Sequence, residues 1–218
     1  MAGPTIEELR IADDAASWSA LGFTVADDAC VIGGVSLTFV GRGAGSGIAG
    51  WSLRDIESTA LDGLATTLAD GEPRTPAGPH PNGVIAIDHV VVMSPDLNRS
   101  VTGLQGAGLD LRRIREEPTP AGAPRQAFFR LGAEILEVVQ EPEEILTRAG
   151  GPDGPSHFWG MALLVEDLDA TCAQMAPHAG EPRAAVQPGR RIATLRRSAG
   201  LSVPLALMSR DQRSEVAA

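Results

Sequence analysis

Two stretches of similar design decide the fold: HVVVMSPDLNRSVTGLQGAG at residues 89–108 and GMALLVEDLDATCAQMAPHAG at residues 160–180. Each begins with an apolar run typical of a buried strand, continues through Asp-Leu, and then follows a helical pattern that ends at glycine. Matching Asp96 to Asp167 places the two copies 71 residues apart. Repetition of a whole strand–helix unit predicts two copies of one structural module.

Three strand-like runs follow the helical stretch in each copy. After the first helix they are LDLRRIREE, RQAFFRLG and EILEVVQ, and after the second they are RAAVQ, RRIATLRR and SVPLALMS. Both copies therefore have the order strand, helix, strand, strand, strand. We predict an α+β fold made of tandem βαβββ modules at residues 84–147 and 156–210. Asp96 and Asp167 are expected to cap the two helices, because their side-chain oxygens accept from the free amide groups of a first turn.

Proline-rich sequence separates these modules from the start of the chain. PRTPAGPHPNG at residues 73–83 leaves little room for regular structure, and we predict a linker there. Residues 1–72 carry a looser version of the module pattern, from IEELRIA through DDAASWSALG to VSLTFVG. We interpret this N-terminal segment as a degenerate βαβββ-like module.

Composition and charge exclude several classes of partner and chemistry. The chain of 218 residues has 18 basic and 28 acidic side chains and a net charge of -10, the wrong sign for holding a nucleic-acid backbone. No apolar run approaches the roughly 18 residues of a membrane span, and the N-terminus lacks the layout of a signal peptide. We therefore expect a cytoplasmic protein that binds neither nucleic acid nor membranes. Lysine and tyrosine are absent, which removes Schiff-base lysine and tyrosine acid chemistry.

The residue pattern resembles the vicinal oxygen chelate superfamily, which includes glyoxalase I, methylmalonyl-CoA epimerase, extradiol dioxygenases and the bleomycin-resistance binding proteins. The features that carry the resemblance are the tandem βαβββ units, histidine in DHVVV, Asp-Leu at the helix start and glutamate in LEVV. It covers residues 84–210 well and the N-terminal segment weakly. The resemblance implies curved mixed sheets that form a cup, a small-molecule ligand, and a monomer or homodimer of glyoxalase-like type.

The resemblance also assigns candidate metal ligands, since the family draws them from the first and last strands of each module. His89 and Glu137 match these positions in the first module, and strand alternation lets both side chains face the cup. In the second module Gly160 stands at the position of His89, and Ala206 at the position of Glu137. His157, three residues before Gly160, is a weak candidate for a third ligand.

A firmly held divalent metal needs three or four protein ligands. Because half of the expected ligands are missing, we predict no tightly bound metal and no other cofactor, with His89, Glu137 and His157 as weak metal candidates. His89 is instead expected to hydrogen-bond to Glu137, and such a pair can work as general acid and base because histidine titrates near neutral pH. Introducing Gly160→His and Ala206→Glu together is expected to raise metal affinity.

Further ligand-binding candidates are polar side chains on the middle strands and aromatic side chains near the cup. They are Gln126, Phe128, Arg130, Phe158, Gln187 and Thr194. Small-molecule sites combine an apolar lining with a few polar anchors, and these residue types supply both. For the arginine a surface position is the alternative, and for the two phenylalanines it is packing in the core.

Three functions fit this pattern. The favoured one is a glyoxalase-like binding protein of bleomycin-resistance type, which holds a small organic molecule in the sheet cup without a complete metal site. The alternative is an enzyme of glyoxalase I type, a metal-dependent lyase, isomerase or epimerase that acts through an enediolate with His89 and Glu137 at its centre. A regulatory module that binds a partner is the third. The missing ligands count against the metal enzyme.

Overall fold

The computed structural model describes residues 3–70, 72, 74–119 and 122–211. The helices are α1 (Ala15–Ala20), α2 (Leu97–Gly106), α3 (Glu143–Ala149) and α4 (Leu168–Gln174), and two short 3-10 helices lie at Arg42–Ala44 and Arg197–Ala199. The strands are β1 (Thr5–Ile11), β2 (Ala29–Ile32), β3 (Val35–Phe39), β4 (Ile48–Arg54), β5 (Thr66–Leu68), β6 (Val84–Ser94), β7 (Asp110–Arg115), β8 (Gln126–Leu131), β9 (Glu134–Gln140), β10 (His157–Val165), β11 (Arg183–Ala184), β12 (Arg191–Thr194) and β13 (Leu205–Met208).

The strands confirm the predicted fold class. Across the described ranges they belong to two curved mixed sheets, one of five strands and one of eight. Residues 84–147 contain β6, α2, β7, β8 and β9 in that order, followed by α3, and residues 156–210 contain β10, α4, β11, β12 and β13. Both stretches therefore have the βαβββ order. The division of the whole chain into domains remains a prediction.

The chain separates into two compact units that interleave in sequence. Unit 1 comprises Met1–Glu8, Gly50–Glu72 and His89–Trp159, and unit 2 comprises Leu9–Ala49, Pro73–Asp88 and Gly160–Ala218. The boundaries fall inside β1, β4, β6 and β10, so these strands each contribute residues to both units. The first predicted module lies almost entirely in unit 1 and the second mostly in unit 2.

In unit 1 the sheet of the first module is built around β9. β6 pairs with β9 in parallel, β8 pairs with β9 antiparallel, and β7 pairs antiparallel with β8. Helix α2 packs on the last three strands of the module and is capped by Asp96, whose side chain accepts from the amides of Asn98 and Arg99 as predicted. The fully buried side chains beneath it include Phe129, Leu136 and Val138, so the alternate residues of these strands face the other way.

In unit 2 the second module repeats this pattern. β10 pairs with β13 in parallel, β13 pairs antiparallel with β12, and β12 pairs antiparallel with β11. Helix α4 is capped by Asp167, whose side chain accepts from the amide of Ala170 as predicted. Unit 2 also holds an aromatic cluster in which Trp18 lies 4.9 Å from Phe23 and 5.2 Å from Phe39, measured between ring centroids.

No helix within the described residues is both long enough and apolar enough to cross a membrane.

Candidate functional site

One face of the first module's sheet collects the polar side chains that the sequence singles out. It is the face turned away from α2 in unit 1, and we refer to it as the site face. Its residues are Asp110, Arg113 and Arg115 on β7, Gln126, Phe128 and Arg130 on β8, Ile135, Glu137 and Val139 on β9, and His89, Val91 and Met93 on β6. Cross-strand register makes these side chains neighbours, because residues paired on adjacent strands point to the same side.

His89, Glu137 and Gln126 form a polar trio on this face. His89 Nε2 lies 3.6 Å from Glu137 Oε2, and the two side chains are 16% and 15% exposed. The Gln126 side-chain amide donates a hydrogen bond to the other oxygen, Glu137 Oε1. The two carboxylate oxygens thus face different partners, which holds the carboxylate in one orientation. The structure brings His89 and Glu137 together on adjacent strands, while their functional roles remain predictions.

An apolar cluster lies beside the trio on the same face. Val91, Ala123 and Val139 are each buried to 8% exposure, and Met93 packs against them. In the sheet register Val91 is the partner of Glu137, and Val139 is the partner of Gln126. The polar trio and this apolar cluster are therefore direct neighbours, a combination that small-molecule sites use.

A cleft of about 530 Å³ opens in unit 1 at the end of β9. Its lining is Gly122, Pro124, Gln140, Glu141, Pro142, Glu143, Leu146, Thr147, Gly151 and Pro152. Two residues of the apolar cluster are next in sequence to residues that line the cleft. Ala123 lies between Gly122 and Pro124, and Val139 precedes Gln140. His157 is at this end of unit 1, with Nδ1 3.8 Å from Glu141 Oε1 and a side chain that is 57% exposed. The weak metal candidate His157 is thus paired with Glu141.

The three remaining ligand-binding candidates of unit 1 lie in different surroundings. Phe128 is half-buried on the site face, opposite Glu137 in the register. Arg130 is exposed, and its guanidinium donates to the carbonyl of Ala133 in the following turn. Phe158 packs edge-on against the buried Trp51, with ring centroids 5.2 Å apart. Packing against Trp51 accounts for part of the burial of Phe158, whereas the contribution of these three residues to ligand binding remains a prediction.

The last two candidates lie in unit 2. Gln187 is exposed in the segment between β11 and β12, and its side-chain oxygen is 3.5 Å from Arg190 Nη1. Thr194 is exposed at the end of β12 and pairs with Ala206 of β13. Their role as ligand-binding residues likewise remains a prediction.

Sequence reasoning missed Arg113, whose guanidinium lies 4.9 Å from the centroid of the Phe128 ring. The register shifts between Leu111 and Arg113, where a β-bulge inserts one extra residue. Leu111 pairs with the buried Phe129, but Arg113 pairs with Phe128 on the site face. Simple alternation would have put Leu111 and Arg113 on the same side, and no signal in LDLRRIREE marks the bulge.

The residues present do not fit the metal site that the resemblance implies. Within the described ranges no three histidine, cysteine, aspartate or glutamate side chains come together as a possible metal site. In the first module Val91 pairs with Glu137, and 71 residues later Ala162 pairs with Ala206, so the register supports the equivalence read from the sequence. The absence of a tightly bound metal remains a prediction.

Position 160 cannot accept a larger side chain in this backbone. A Cβ atom at Gly160 would lie 2.5 Å from the carbonyl oxygen of Pro204, closer than real Cβ atoms come to other atoms. A histidine at position 160 therefore cannot be placed without moving the backbone, and the rise in metal affinity expected of Gly160→His together with Ala206→Glu remains a prediction.

Comparison with known proteins gives a match to one family model. The model describes the Glyoxalase/Bleomycin resistance protein/Dioxygenase superfamily and matches residues 86–199. A search of curated proteins gave no match.

Several solved structures are similar. Methylmalonyl-CoA epimerase from Mycobacterium tuberculosis is 18% identical, and the match covers 62% of this chain and 93% of that one, with a TM-score of 0.49. A methylmalonyl-CoA epimerase in complex with methylmalonyl-CoA and NH4+ is 21% identical over 58% of this chain and 94% of that one, with a TM-score of 0.45. A xylose isomerase-like TIM barrel/4-hydroxyphenylpyruvate dioxygenase fusion protein is 12% identical over 97% of this chain and 50% of that one, with a TM-score of 0.62. This last similarity extends the shared fold over nearly the whole chain.

Proposed function

Because the chain belongs to the Glyoxalase/Bleomycin resistance protein/Dioxygenase superfamily, we propose that it binds a small organic molecule on the site face of unit 1. The observation that carries the proposal is the orientation of Glu137, whose two oxygens face Gln126 and His89 beside an apolar cluster. Such a site offers a few oriented polar anchors next to apolar surface, which is how proteins hold small ligands.

The trio suits binding because its groups are oriented before a ligand arrives. Side chains that are already held in place lose little conformational entropy on binding. His89 and Glu137 are about five-sixths buried, and in a partly desolvated site a hydrogen bond is stronger than the same bond in water. In this proposal these two residues contact the ligand, whereas Gln126 acts through Glu137 as a positioning residue.

The apolar cluster supplies the rest of the site. Val91, Val139 and Met93 provide aliphatic surface next to the trio. The cleft at the end of β9 is lined by none of these residues and is not part of the proposed site. A ligand body that covers the cluster removes apolar area from water, at about 25 cal/mol per Å². No step of this proposal uses a metal ion.

A second candidate function is proton transfer on the bound molecule, as in an isomerase or epimerase. The observation that favours it is the 3.6 Å approach of two titratable groups, His89 and Glu137, on the same face. In this reaction Glu137 removes a proton from a carbon beside a carbonyl group, while His89 donates to the carbonyl oxygen as negative charge develops there. Return of the proton to the carbon completes the cycle.

Ligand-observed NMR with a library of small organic compounds tests the binding proposal. Compounds that bind the wild type and carry a hydrogen-bond donor should lose about tenfold or more in affinity for Glu137→Ala, because an oriented acceptor beside the ligand is gone. Glu117→Ala is the matched control, since its side chain is 81% exposed and lies outside the trio. If every compound binds the Glu137 variant as tightly as the wild type, the site face is not the binding site.

Solvent deuterium exchange tests the second candidate without knowledge of the product. Binding compounds with a C–H bond beside a carbonyl are incubated with the protein in D2O, and deuterium incorporation is followed by proton NMR. Proton transfer by Glu137 predicts exchange that the wild type catalyses and that Glu137→Gln slows by about 100-fold or more. Binding without exchange leaves the protein as a binding protein.

A further inference from the structure

Arg113 occupies a place on the site face that suits an anion-binding group. Its guanidinium stacks on the Phe128 ring at 4.9 Å, and Phe128 stands between Arg113 and Glu137 in the register of three adjacent strands. A guanidinium that lies over an aromatic ring keeps its edge N–H groups available for a carboxylate or phosphate. The stacking also restricts the side chain to one region of the face.

The neighbours of Arg113 on β7 have carboxylate partners of their own. Arg112 pairs with Asp110 at 2.9 Å, and Arg115 lies 3.9 Å from Glu117. Within the ranges that the structure describes, Arg113 forms no such ion pair. Among the described residues, no carboxylate therefore lies within ion-pair distance of the guanidinium over the ring.

The spacing of the strands determines how far Arg113 is from the trio. Adjacent strands are roughly 4.8 Å apart, so the backbones of β7 and β9 are about 10 Å apart with β8 between them. Because the guanidinium reaches back over Phe128, an anion bound to it is about one strand away from Glu137. An anion this close to the Glu137 carboxylate is repelled unless a cation offsets the repulsion, and Arg113 is placed to do so.

We propose that the ligand of the site face is a small organic anion. Its carboxylate or phosphate group binds Arg113 over the Phe128 ring, while its apolar body covers the cluster around Val91 and reaches His89 and Glu137. Paired N–H groups of one guanidinium match the two oxygens of such a group. This inference rests on the proposed function and specifies the chemical class of its ligand.

A matched series of compounds tests the charge requirement. Butyrate, propyl phosphate and butyramide share a propyl chain but differ in charge, and binding is followed by the shifts of the Arg113 Nε–Hε and His89 ring resonances. The expected result is saturable shifts at both residues with the two anions, and binding of butyramide that is at least about tenfold weaker. The tighter of the two anions identifies the preferred group.

Substitutions on β7 locate the charge. Arg113→Gln should weaken binding of both anions by about tenfold and leave butyramide unchanged, while Arg113→Lys should recover part of the affinity because it keeps the charge but not the planar fork. Arg112→Gln removes the same charge from the adjacent residue and should change nothing.

The outcomes separate this inference from the proposed function. Equal binding of butyramide and butyrate, or anion binding that survives Arg113→Gln, overturns the inference and leaves a site for neutral ligands. The inference is also overturned if no member of the series shifts either resonance. In that case the compound library and Glu137→Ala still decide whether the site face binds another class of molecule.

Discussion

The two modules have the same strand order and the same register, yet only the first carries a polar trio. Val91 pairs with Glu137 in one, and Ala162 pairs with Ala206 at the equivalent place in the other. The second module forms its sheet with glycine and alanine where the first has histidine and glutamate. The backbone of a module therefore forms without these polar groups, as the proposed binding role of the trio in unit 1 requires.

The helices of the two modules are also held by different means. Ser100 in α2 and Thr171 in α4 occupy equivalent positions and are both buried. In unit 1 Ser100 donates to the carboxylate of Asp62, which also accepts from Ser156 at 2.7 Å and from Arg99 Nε at 2.6 Å. In unit 2 the helix residue Thr171 packs closely against Gly83 instead. A Cβ atom added to Gly83 would lie only 2.8 Å from the hydroxyl oxygen of Thr171. One helix is anchored by a charged network and the other by close packing.

The largest expected effect is at the glycine that replaces the histidine. Gly160→Ala should destabilise the protein by about 3 kcal/mol, because its Cβ atom would meet the carbonyl oxygen of Pro204 at 2.5 Å. Gly154→Ala is the control, since no atom lies within 4 Å of its added carbon. Urea denaturation measures both free energies of unfolding. Equal stability of the two variants would show that position 160 is open to side chains, and the two modules would then differ less than the structure indicates.

Breaking the charged network of unit 1 should have the next largest effect. Asp62→Asn should cost about 2 kcal/mol at pH 7, because hydrogen bonds to a charged group each contribute about 1.5–3 kcal/mol and Asn keeps only some of them. Asp110→Asn, which removes an exposed ion pair with Arg112, should cost less than about 0.5 kcal/mol. A loss as small as that of the control would mean that α2 is not anchored through Asp62.

The pH dependence of the Asp62 effect gives an independent check. Burial raises the pKa of the Asp62 carboxyl, but donation from Arg99, Ser100 and Ser156 outweighs it and holds the pKa below its usual value. Protons therefore bind the unfolded state more readily, and the stabilisation is fully present above about pH 4 and is lost as pH falls through the folded pKa. The difference between wild type and Asp62→Asn should shrink accordingly in acid.

A smaller effect distinguishes the buried histidine of unit 2 from His89. His80 Nδ1 accepts from the amide of Thr24 at 3.0 Å, and its Nε2 lies 3.1 Å from the carbonyl oxygen of Val31. Burial lowers the pKa of His80 despite the opposing hydrogen bond to Val31. The neutral ring therefore stabilises the fold above about pH 6.5, and that stability is lost as pH falls below this value.

Protonation of His80 places a charge on a buried ring and breaks one hydrogen bond. A proton on Nδ1 displaces the amide of Thr24, so the free energy of unfolding should fall by about 1 kcal/mol between pH 7.5 and 5. His80→Gln should remove this dependence, and His89→Gln should leave it in place. Thermal denaturation across this pH range measures the difference, and a pH dependence retained in His80→Gln would assign it to another group.

The smallest effect is expected where the second module lacks its glutamate. Ala206→Glu restores the carboxylate at the position equivalent to Glu137, but Gly160 still offers no imidazole beside it. One carboxylate does not hold a divalent ion firmly, so thermal shifts with Mn²⁺ or Co²⁺ should equal those of the wild type. A metal-dependent rise in Tm for this variant alone would show that unit 2 already supplies other ligands.

The local sequence pattern was sufficient to predict the order of the strands and helices in the two modules. The βαβββ order in residues 84–147 and 156–210 follows from apolar runs of strand length that alternate with a helical stretch. The caps at Asp96 and Asp167 follow from a short acidic side chain before a helix. These features depend on neighbours in sequence, so the sequence alone determined them.

The placement of His89 and Glu137 was also within reach of the sequence. Strand alternation assigns each to one face of its strand, and the resemblance implies that both side chains face the same cup. The structure places them there with 3.6 Å between Nε2 and Oε2. The partner of the other Glu137 oxygen was not predictable, because Gln126 reads equally well as a ligand-binding residue until the pairing of β8 with β9 is known.

Only the tertiary structure decided two features of the site. The bulge between Leu111 and Arg113 turns an arginine onto the site face, and bulges arise from how two strands pair rather than from either strand's own sequence. The closed space at Gly160 is set by Pro204, a residue 44 positions later in the chain. Repeat, capping and alternation are local properties that a sequence displays directly, whereas register shifts and steric room depend on which distant segments meet, and folding alone brings those together.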